Sequence, residues 1–442
     1  MKKVQNYDVV IIGAGSGGAS AAMYAAKNGL RVALIEEDKW GGTTIHCGSI
    51  HARMLQKHAK IVYEVKKASE WGFEISVFDL DYERLRNRMQ STAIAQTNKL
   101  YTMLQEVGVT CIQGTATIDE QLIVHVESEG FQATNLIIAT GSQPLIPEIL
   151  GLESVDYLTT NTIYELEELP KKLTIIGGGL TAVETAFSLA PLGTEVTIIE
   201  KNEDILIDED PEIRYQLKKQ LAQLDVMMQV NQQITEVTPE HIMIEDLLIS
   251  HDQVFIACGR QARTEIADFL ALKKQQEGTI FVNEFFQTSQ PKIYAIGQVC
   301  NSRQFSKTAY SNGIVAVNHI LQKPAKETND VLVRSLNTIP DVASFGLTEE
   351  QAIQAYGDNV TSIKLPIHYA VDGLIEDYTK CILKLIVHKE FDEIIGAMAI
   401  GEYALQVIEQ IAMIVRLEGS LEEALAYIDV ELGNYMQQRK IV

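Results

Sequence analysis

The chain has 442 residues, 46% of them hydrophobic and 22% charged, with only ten prolines, a composition that fits a large folded protein and excludes an intrinsically disordered one. Lysine and arginine total 37 against 59 aspartates and glutamates, a formal charge of −22, which argues against nucleic acid or an anionic membrane surface as a partner. Five cysteines, Cys47, Cys111, Cys258, Cys300 and Cys381, are scattered, odd in number and without a CxxC pair, so no secreted disulfide framework and no zinc site is expected; a reducing cytoplasm is.

At the N-terminus, MKKVQNYDVVIIGAGSGGASAAMYAA has the lysines, apolar run and small residues of a signal peptide, but Asp8 interrupts the run and the glycine spacing has a better explanation. No stretch reaches the roughly 18 uninterrupted apolar residues of a membrane span. Residues NYDVVIIGAGSGGASAAMYAAKNGLRVALIEED read strand, glycine turn, helix, strand, with Gly13, Gly15 and Gly18 followed by Glu36. In such a unit the first glycine makes a tight turn and the second lets the backbone approach a pyrophosphate. The third position must be small so that helix and strand pack closely, and an acid closing the second strand accepts hydrogen bonds from ribose hydroxyls.

The next segment, GGTTIHCGSIHARML, runs from Gly41 to Leu55. If it is helical, Cys47 and His51 share a face, and the imidazole would lower the thiol pKa. DYERLRNRMQSTAIAQTNKLYTMLQEVGV predicts a long helix with a solvated charged face, and LIIATGSQP a strand ending in a turn at Gly141. The strand–turn–helix–strand unit then recurs in KKLTIIGGGLTAVETAFSLAPLGTEVTIIEKNE, with Gly177, Gly179, Ala182 and Glu200. The acid follows the first glycine at the same offset in both copies, 36 − 13 = 23 and 200 − 177 = 23. One such fingerprint is weak; two with a shared offset are strong, and two dinucleotides in one chain suggest a flavin and a nicotinamide. Glu200 would repel a 2′-phosphate, which favours NAD(H) over NADP(H), although Lys201 weakens that preference.

Further strands end in turns at Gly259, in VFIACGRQA, and at Gly297, in IYAIGQV. From about Asn337 the pattern becomes α+β, and the amphipathic ALQVIEQIAMIVRLEGSLEEAL offers an apolar face that could close a dimer. The predicted class is α/β: two Rossmann-like dinucleotide-binding domains, residues 1–146 with 268–331 for FAD and 147–267 for NAD, plus a C-terminal α+β dimerisation domain over 332–442.

GAGSGG, GGT at Gly41–Thr43, ATGSQP, GGGLTAVE, ACGR, IYAIGQV and GLTEEQA together resemble the pyridine nucleotide-disulfide oxidoreductases, the family of dihydrolipoamide dehydrogenase, glutathione reductase and mercuric reductase. The resemblance covers essentially the whole chain and implies a homodimeric flavoenzyme. FAD would lie on Gly13, Gly15, Gly18, Glu36, Gly42, Thr43, Gly141 and Gln298, and Gly259 is a further cofactor-binding candidate not assigned to either dinucleotide. NAD would lie on Gly177, Gly179 and Glu200, with its ring approaching the flavin near Glu184. In relatives that glutamate pairs with a lysine, whose place is taken by Arg53; the charge is kept and the geometry changed.

The departures carry the functional expectation. Relatives place two cysteines where this chain has Thr44 and Ser49, and hydroxyls neither form a disulfide nor ionise near neutral pH. The family's terminal His and Glu pair aligns with Asp429 and Asn434, which do not suit a thiol-protonating step. Gln298 stands where relatives have an aspartate on the FAD ribityl chain. The segment TIHCGSI is also similar to that of the soluble pyridine nucleotide transhydrogenases, which have no redox disulfide.

The leading expectation is therefore an FAD enzyme passing electrons from NADH directly to a small acceptor: oxygen, a quinone, a dye-like compound or a second nicotinamide. Arg53 and Glu184 would sit at the reacting edge, with Cys47 and His51 as further candidates and no metal. One alternative is a single-cysteine peroxidase or oxidase using Cys47; its plainer reading is a small residue in a buried helix, at a site where relatives carry valine. His46 and His51 are either acids and bases beside the flavin or structural. Another alternative is a nucleotide-binding sensor or scaffold without catalysis. Cys258 and Cys300 read as buried small residues, and Cys111 and Cys381 as strand residues.

Overall fold

A computed structural model describes residues 4–75, 79–301, 306–325, 331–366 and 382–427. Asp429, Asn434 and Cys381 lie outside the described residues. The chain divides into two compact units: Met1–Leu55, Glu74–Gly177 and Gln233–Thr328 form the first, and Gln56–Phe73, Gly178–Gln232 and Asn329–Val442 the second.

The first unit is built on a mixed sheet. Strand β1 (Val4–Ile12) leads through helix α1 (Ser16–Lys27) to β2 (Val32–Glu36), which pairs with it in parallel from Val9↔Val32 to Ile12↔Ile35. Val9, Val10 and Ile11 are wholly buried and every residue of β2 is buried, which is why these strands read as continuous aliphatic runs and do not alternate. After α2 (Gly42–His46), α3 (Ser49–Lys67) and α4 (Tyr82–Glu106), strands β3 (Thr110–Gln113), β4 (Thr117–Ile118), β5 (Ile123–Val126) and β6 (Glu129–Ile138) complete the order β3-β2-β1-β6-β5-β4, and Ile293–Ala295 adds to β6. The pairing is parallel through β3, β2, β1 and β6 and antiparallel from β6 to β5 and β4. The long helix expected from Asp81 onward is α4, with Asp81 accepting from the Arg84 N–H as its N-cap and Gly108 (φ 87°) just past its end.

Small residues set how α1 packs. The helix Ser306–Ile320 lies against it so closely that a Cβ on Gly313 would sit 2.6 Å from Ser20 Oγ and 2.8 Å from the Gly17 carbonyl. Elsewhere in this unit Gln253–Ile256 pairs in parallel with both Tyr157–Thr159 and Lys172–Ile176. The short strand Arg260–Ala262 runs antiparallel to Ser142–Pro144, placing Ala262 opposite Ser142 and Arg260 opposite Pro144.

In the second unit the helix Leu180–Leu189 leads to strand Glu195–Ile199, which pairs in parallel with Met227–Gln229. The terminal part is a five-stranded antiparallel sheet in which Val342–Gly346, Glu393–Ile400, Ile382–His388 and Val360–Pro366 follow one another. Helix Ala404–Arg416 buries Val407, Ile408, Ile411 and Ala412 with this sheet and leaves Met413 exposed on its other side, the α+β arrangement expected there. One strand residue breaks the apolar pattern: Lys384 is only 3% exposed, and its ammonium lies 2.8 Å from Asp210 Oδ2 and 2.6 Å from Glu349 Oε2. Among the described residues no helix is long and apolar enough to cross a membrane, and no cluster of His, Cys, Asp and Glu could hold a metal ion.

Candidate functional site

The two glycine fingerprints have the same local geometry, and the reasons are steric. Gly13 has φ 101° and a Cβ there would meet the Ala139 carbonyl oxygen at 2.3 Å; Gly177 has φ 109° and would meet Ala257 O at 2.6 Å. A Cβ on Gly15 or Gly179 would meet nothing within 4 Å, so at both places the backbone is open to a ligand. Gly18 lies directly beneath the turn, where a Cβ would stand 1.9 Å from the Gly13 carbonyl oxygen, whereas Ala182 fits fully buried in the second copy.

The acids are held alike. Glu36 accepts from Ala14 N–H at 2.6 Å and from Asp38 N–H at 3.0 Å; Glu200 accepts from Gly178 N–H at 2.5 Å and from Asn202 N–H at 2.8 Å. Each carboxylate is thus pinned by the amide 22 residues before it and the amide two residues after it. Their remaining lone pairs are available to hydroxyl donors. Burial raises the Glu36 pKa above its usual value, opposed by those two amide hydrogen bonds.

A cleft of about 480 Å³ in the first unit joins these features. Gly13, Gly15, Glu36, Gly42, Thr43 and Gly141, all sequence candidates, line it. Gly42 (φ 56°) brings α2 against the first turn: a Cβ there would lie 3.0 Å from the Gly15 Cα. Gly18 acts from below through packing. Gly259 (φ 100°) precedes the cleft residue Arg260, and its carbonyl accepts from Leu145 N–H. The open glycine backbone and a pinned ribose-type acceptor on one cleft suit an adenine dinucleotide such as FAD.

The segment Gly41–Leu55 is not one helix. Helix α2 ends at His46 and α3 begins at Ser49, and Cys47 between them has φ −145°. The expected helical face shared by Cys47 and His51 therefore does not form. Gly48 allows the break, because a Cβ on it would lie 2.7 Å from Thr43 O. Cys47 lines the cleft, 3.7 Å from Asn161 Oδ1, and burial raises its thiol pKa, opposed mainly by the Arg260 charge and a Thr43 hydrogen bond. His51 is buried, stacks on Tyr164 with ring centroids 5.4 Å apart, and among the described residues has no hydrogen-bond partner at Nδ1. Burial first, and the His46 charge second, lower its pKa. His46 lines the cleft with Nε2 3.0 Å from both the Trp40 carbonyl and Thr97 Oγ1; the carbonyl only accepts, so Nε2 carries the proton when the ring is neutral.

Of the two positions where the resemblance implies sulfur, Thr44 has its hydroxyl 2.9 Å from Ser16 Oγ on the first turn of α1, and Ser49 is exposed at the start of α3. Among the described residues no cysteine is joined to another in a disulfide. Cys300 is buried as expected, Cys258 is only partly so, and Cys111 lies in β3. Arg53 is exposed on α3. In the second unit Glu184 Oε1 accepts from the Asn337 N–H at 2.7 Å.

The sequence reading missed a network at one end of the cleft. Arg260 donates from Nε to Ser142 Oγ (2.8 Å), from Nη1 to Thr160 Oγ1 (2.5 Å) and Asn161 Oδ1 (2.9 Å), and from Nη2 to the Ser142 carbonyl (2.7 Å). Ser142 in turn donates to Gln298 Oε1 at 2.7 Å, so Gln298 reaches the cleft through Ser142 and does not line it itself. Its members lie in separate motifs, Ser142 in ATGSQP, Arg260 in ACGR and Gln298 in IYAIGQV, with nothing in the sequence to join them. Arg263, which also lines the cleft, pairs with Glu37.

Residues 7–316 match the family model of the pyridine nucleotide-disulphide oxidoreductases, and residues 334–430 match that family's dimerisation domain. The chain is 30% identical to mercuric reductase of Staphylococcus aureus over 430 residues, which is 95% of this chain and 78% of that one. It is 30% identical to dihydrolipoyl dehydrogenase of Mycoplasma genitalium over 423 residues, 92% of each chain. A solved structure titled as the HOCl-induced flavoprotein disulfide reductase RclA from Escherichia coli superposes with a TM-score of 0.84 at 25% identity, over 94% of each chain.

Proposed function

The chain belongs to the pyridine nucleotide-disulphide oxidoreductases, whose members bind FAD and NAD(P)H, and we propose that it passes electrons from NADH through FAD directly to a small non-disulfide acceptor. One observation carries the proposal: the two positions that would hold the redox sulfurs are hydroxyls, Thr44 and Ser49, and the single thiol between them, Cys47, stands alone. The relatives bear the names of disulfide and mercuric reductases, so this reading separates the chain from them in chemistry while keeping the scaffold.

When bound, FAD accepts hydride and carries the redox chemistry. The chain's own part is to bind, orient and shield. Open turns at Gly15 and Gly179 admit the two dinucleotides, and pinned carboxylates at Glu36 and Glu200 accept from ribose hydroxyls. Glu200 favours NADH, because its charge opposes a 2′-phosphate. Arg53 and Glu184 are proposed at the reacting edge. The match over residues 334–430 supports a homodimer, and the odd, scattered cysteines of the sequence favour a reducing compartment.

The thiol pKa of Cys47, raised by burial, disfavours the thiolate that a single-cysteine peroxidase needs, and no imidazole shares a helical face with it. An anaerobic NADH titration of the purified holoenzyme, followed by absorption, decides between the readings. Full reduction at two electrons per flavin is expected; uptake of four electrons would reveal an oxidised sulfur centre and end the proposal. A chain isolated without flavin, or one whose NADH-reduced flavin resists every acceptor, would instead favour the scaffold reading.

A further inference from the structure

Lys39, Arg260 and Arg263 line the cleft, and two of these cations have carboxylate partners: Arg263 pairs with Glu37, and Lys39 lies 3.6 Å from Glu165. Arg260 differs. Its four hydrogen bonds go to two hydroxyls, one side-chain amide and one backbone carbonyl, all neutral, and among the described residues no carboxylate lies within ion-pair distance of it. In a chain of net charge −22 this leaves a partly buried guanidinium with its charge unspent beside a cleft.

The orientation of this cation depends on one hydroxyl. Ser142 Oγ accepts from Arg260 Nε–H, and having a single proton it must donate elsewhere; it does so to Gln298 Oε1. Ser142 is 9% exposed, so water does not readily replace that acceptor. An amide oxygen at residue 298 satisfies the hydroxyl and adds no charge. A carboxylate in the same place would lie one hydroxyl away from the guanidinium and cancel it.

We propose that Gln298 is a positioning residue that orients Arg260 through Ser142, and that its neutrality keeps the Arg260 charge available to the anionic dinucleotide bound in this cleft. The inference rests on FAD as the ligand of the cleft and is indifferent to the electron acceptor, so the NADH titration and the test below fail independently. The test is FAD binding to the apoprotein, read by flavin fluorescence over a range of sodium chloride concentrations. The variants are Gln298→Glu, Gln298→Met, Ser142→Ala and the double Ser142→Ala/Gln298→Met. Far-UV circular dichroism and melting of each apoprotein report folding.

Gln298→Met and Ser142→Ala each weaken binding about tenfold, the magnitude of one hydrogen bond to a charged group, and the double variant is no weaker than the worse single because both break one relay. Gln298→Glu, which keeps the hydrogen bond to Ser142, also weakens binding and flattens its salt dependence, an outcome that a purely structural role for the side chain does not produce. Additive single effects, or a Gln298→Glu protein with native affinity and native salt dependence, would overturn the proposal. If Gln298→Met does not fold, Gln298→Glu and Ser142→Ala decide the matter alone.

Discussion

Replacing Lys384 with methionine removes a charge while nearly preserving length, at a site where the charge has two partners. The Lys384 ammonium is 2.8 Å from Asp210 Oδ2 and 2.6 Å from Glu349 Oε2, and Asp210 is 1% exposed. Without the cation one buried carboxylate loses its counter-ion, although Asp210 keeps the Glu212 N–H it accepts as the N-cap of helix Pro211–Gln223. Breaking a buried pair by removing one partner costs about 3–5 kcal/mol. For a cooperative unit of 150–250 residues that corresponds to a melting point lower by roughly 6–20 °C.

The pH dependence gives the prediction its sign. Burial alone would lower the Lys384 pKa, but hydrogen bonds to Asp210 and Glu349 outweigh it and raise it; the stability this contributes is lost only as pH rises through the folded value. The hydrogen bond from Lys384, with that from Ser362, lowers the Glu349 pKa; its contribution is present above the ordinary glutamate range, about 4.3, and is lost as pH falls through the folded value. The native chain should therefore be most stable between about pH 5 and pH 10 as far as this cluster decides. In the variant, acid neutralises the unpaired carboxylates, so the gap between the two proteins should be widest near pH 7 and narrow by about pH 4. Calorimetric melting of both proteins at saturating FAD across that range checks it. A gap under about 1 kcal/mol at pH 7, or one that ignores pH, would refute the reasoning.

Gly18→Ala should prevent stable flavin retention, since its Cβ would stand 1.9 Å from a backbone oxygen, whereas Gly15→Ala should fold and lose only FAD affinity; melting and flavin content of the two proteins separate the effects. Glu200→Ser should raise the kcat/KM for NADPH relative to NADH by at least about tenfold, because it removes a like charge from the 2′-phosphate. Cys47 should react with iodoacetamide more slowly than a free thiol at pH 8 and catch up only at higher pH, as its raised pKa keeps it protonated; fast labelling at pH 8 would contradict this. Cys47→Ser should leave the NADH titration at two electrons.

How much of this was legible in the sequence depended on how locally each feature is encoded. The offset of 23 residues in both fingerprints already contained the paired hydrogen bonds of Glu36 and Glu200, because a strand, a tight turn, a helix and a second strand of fixed length return the acid to the turn. Helix α4 was legible from its cap and its length. The break between α2 and α3 was not, since only the close approach of Gly48 to Thr43 O betrays it, and without that break Cys47 and His51 look like helical neighbours. Arg260 was quoted within a motif but without a role, because its partners lie about a hundred residues away along the chain. Lys384 was hidden for a related reason: a lysine in an aliphatic strand reads as solvent-facing until Asp210 and Glu349 are brought to it.

Those limits bear on the redox question. The loop that would carry the sulfur pair keeps its place without a disulfide: Thr44 is tied by a hydroxyl hydrogen bond to Ser16, Gly42 lies against Gly15, and His46 is held by Trp40 and Thr97. These contacts anchor α2 to the first dinucleotide turn by steric fit and neutral hydrogen bonds, none of which needs a cysteine. On the proposed reading, hydroxyls at residues 44 and 49 lack the electron store of a disulfide while the binding frame stands, so dinucleotide geometry and disulfide chemistry are separable. Thr44→Cys/Ser49→Cys tests the separation directly: it should bind FAD as the native chain does and, if the two thiols close a disulfide, take up four electrons from NADH.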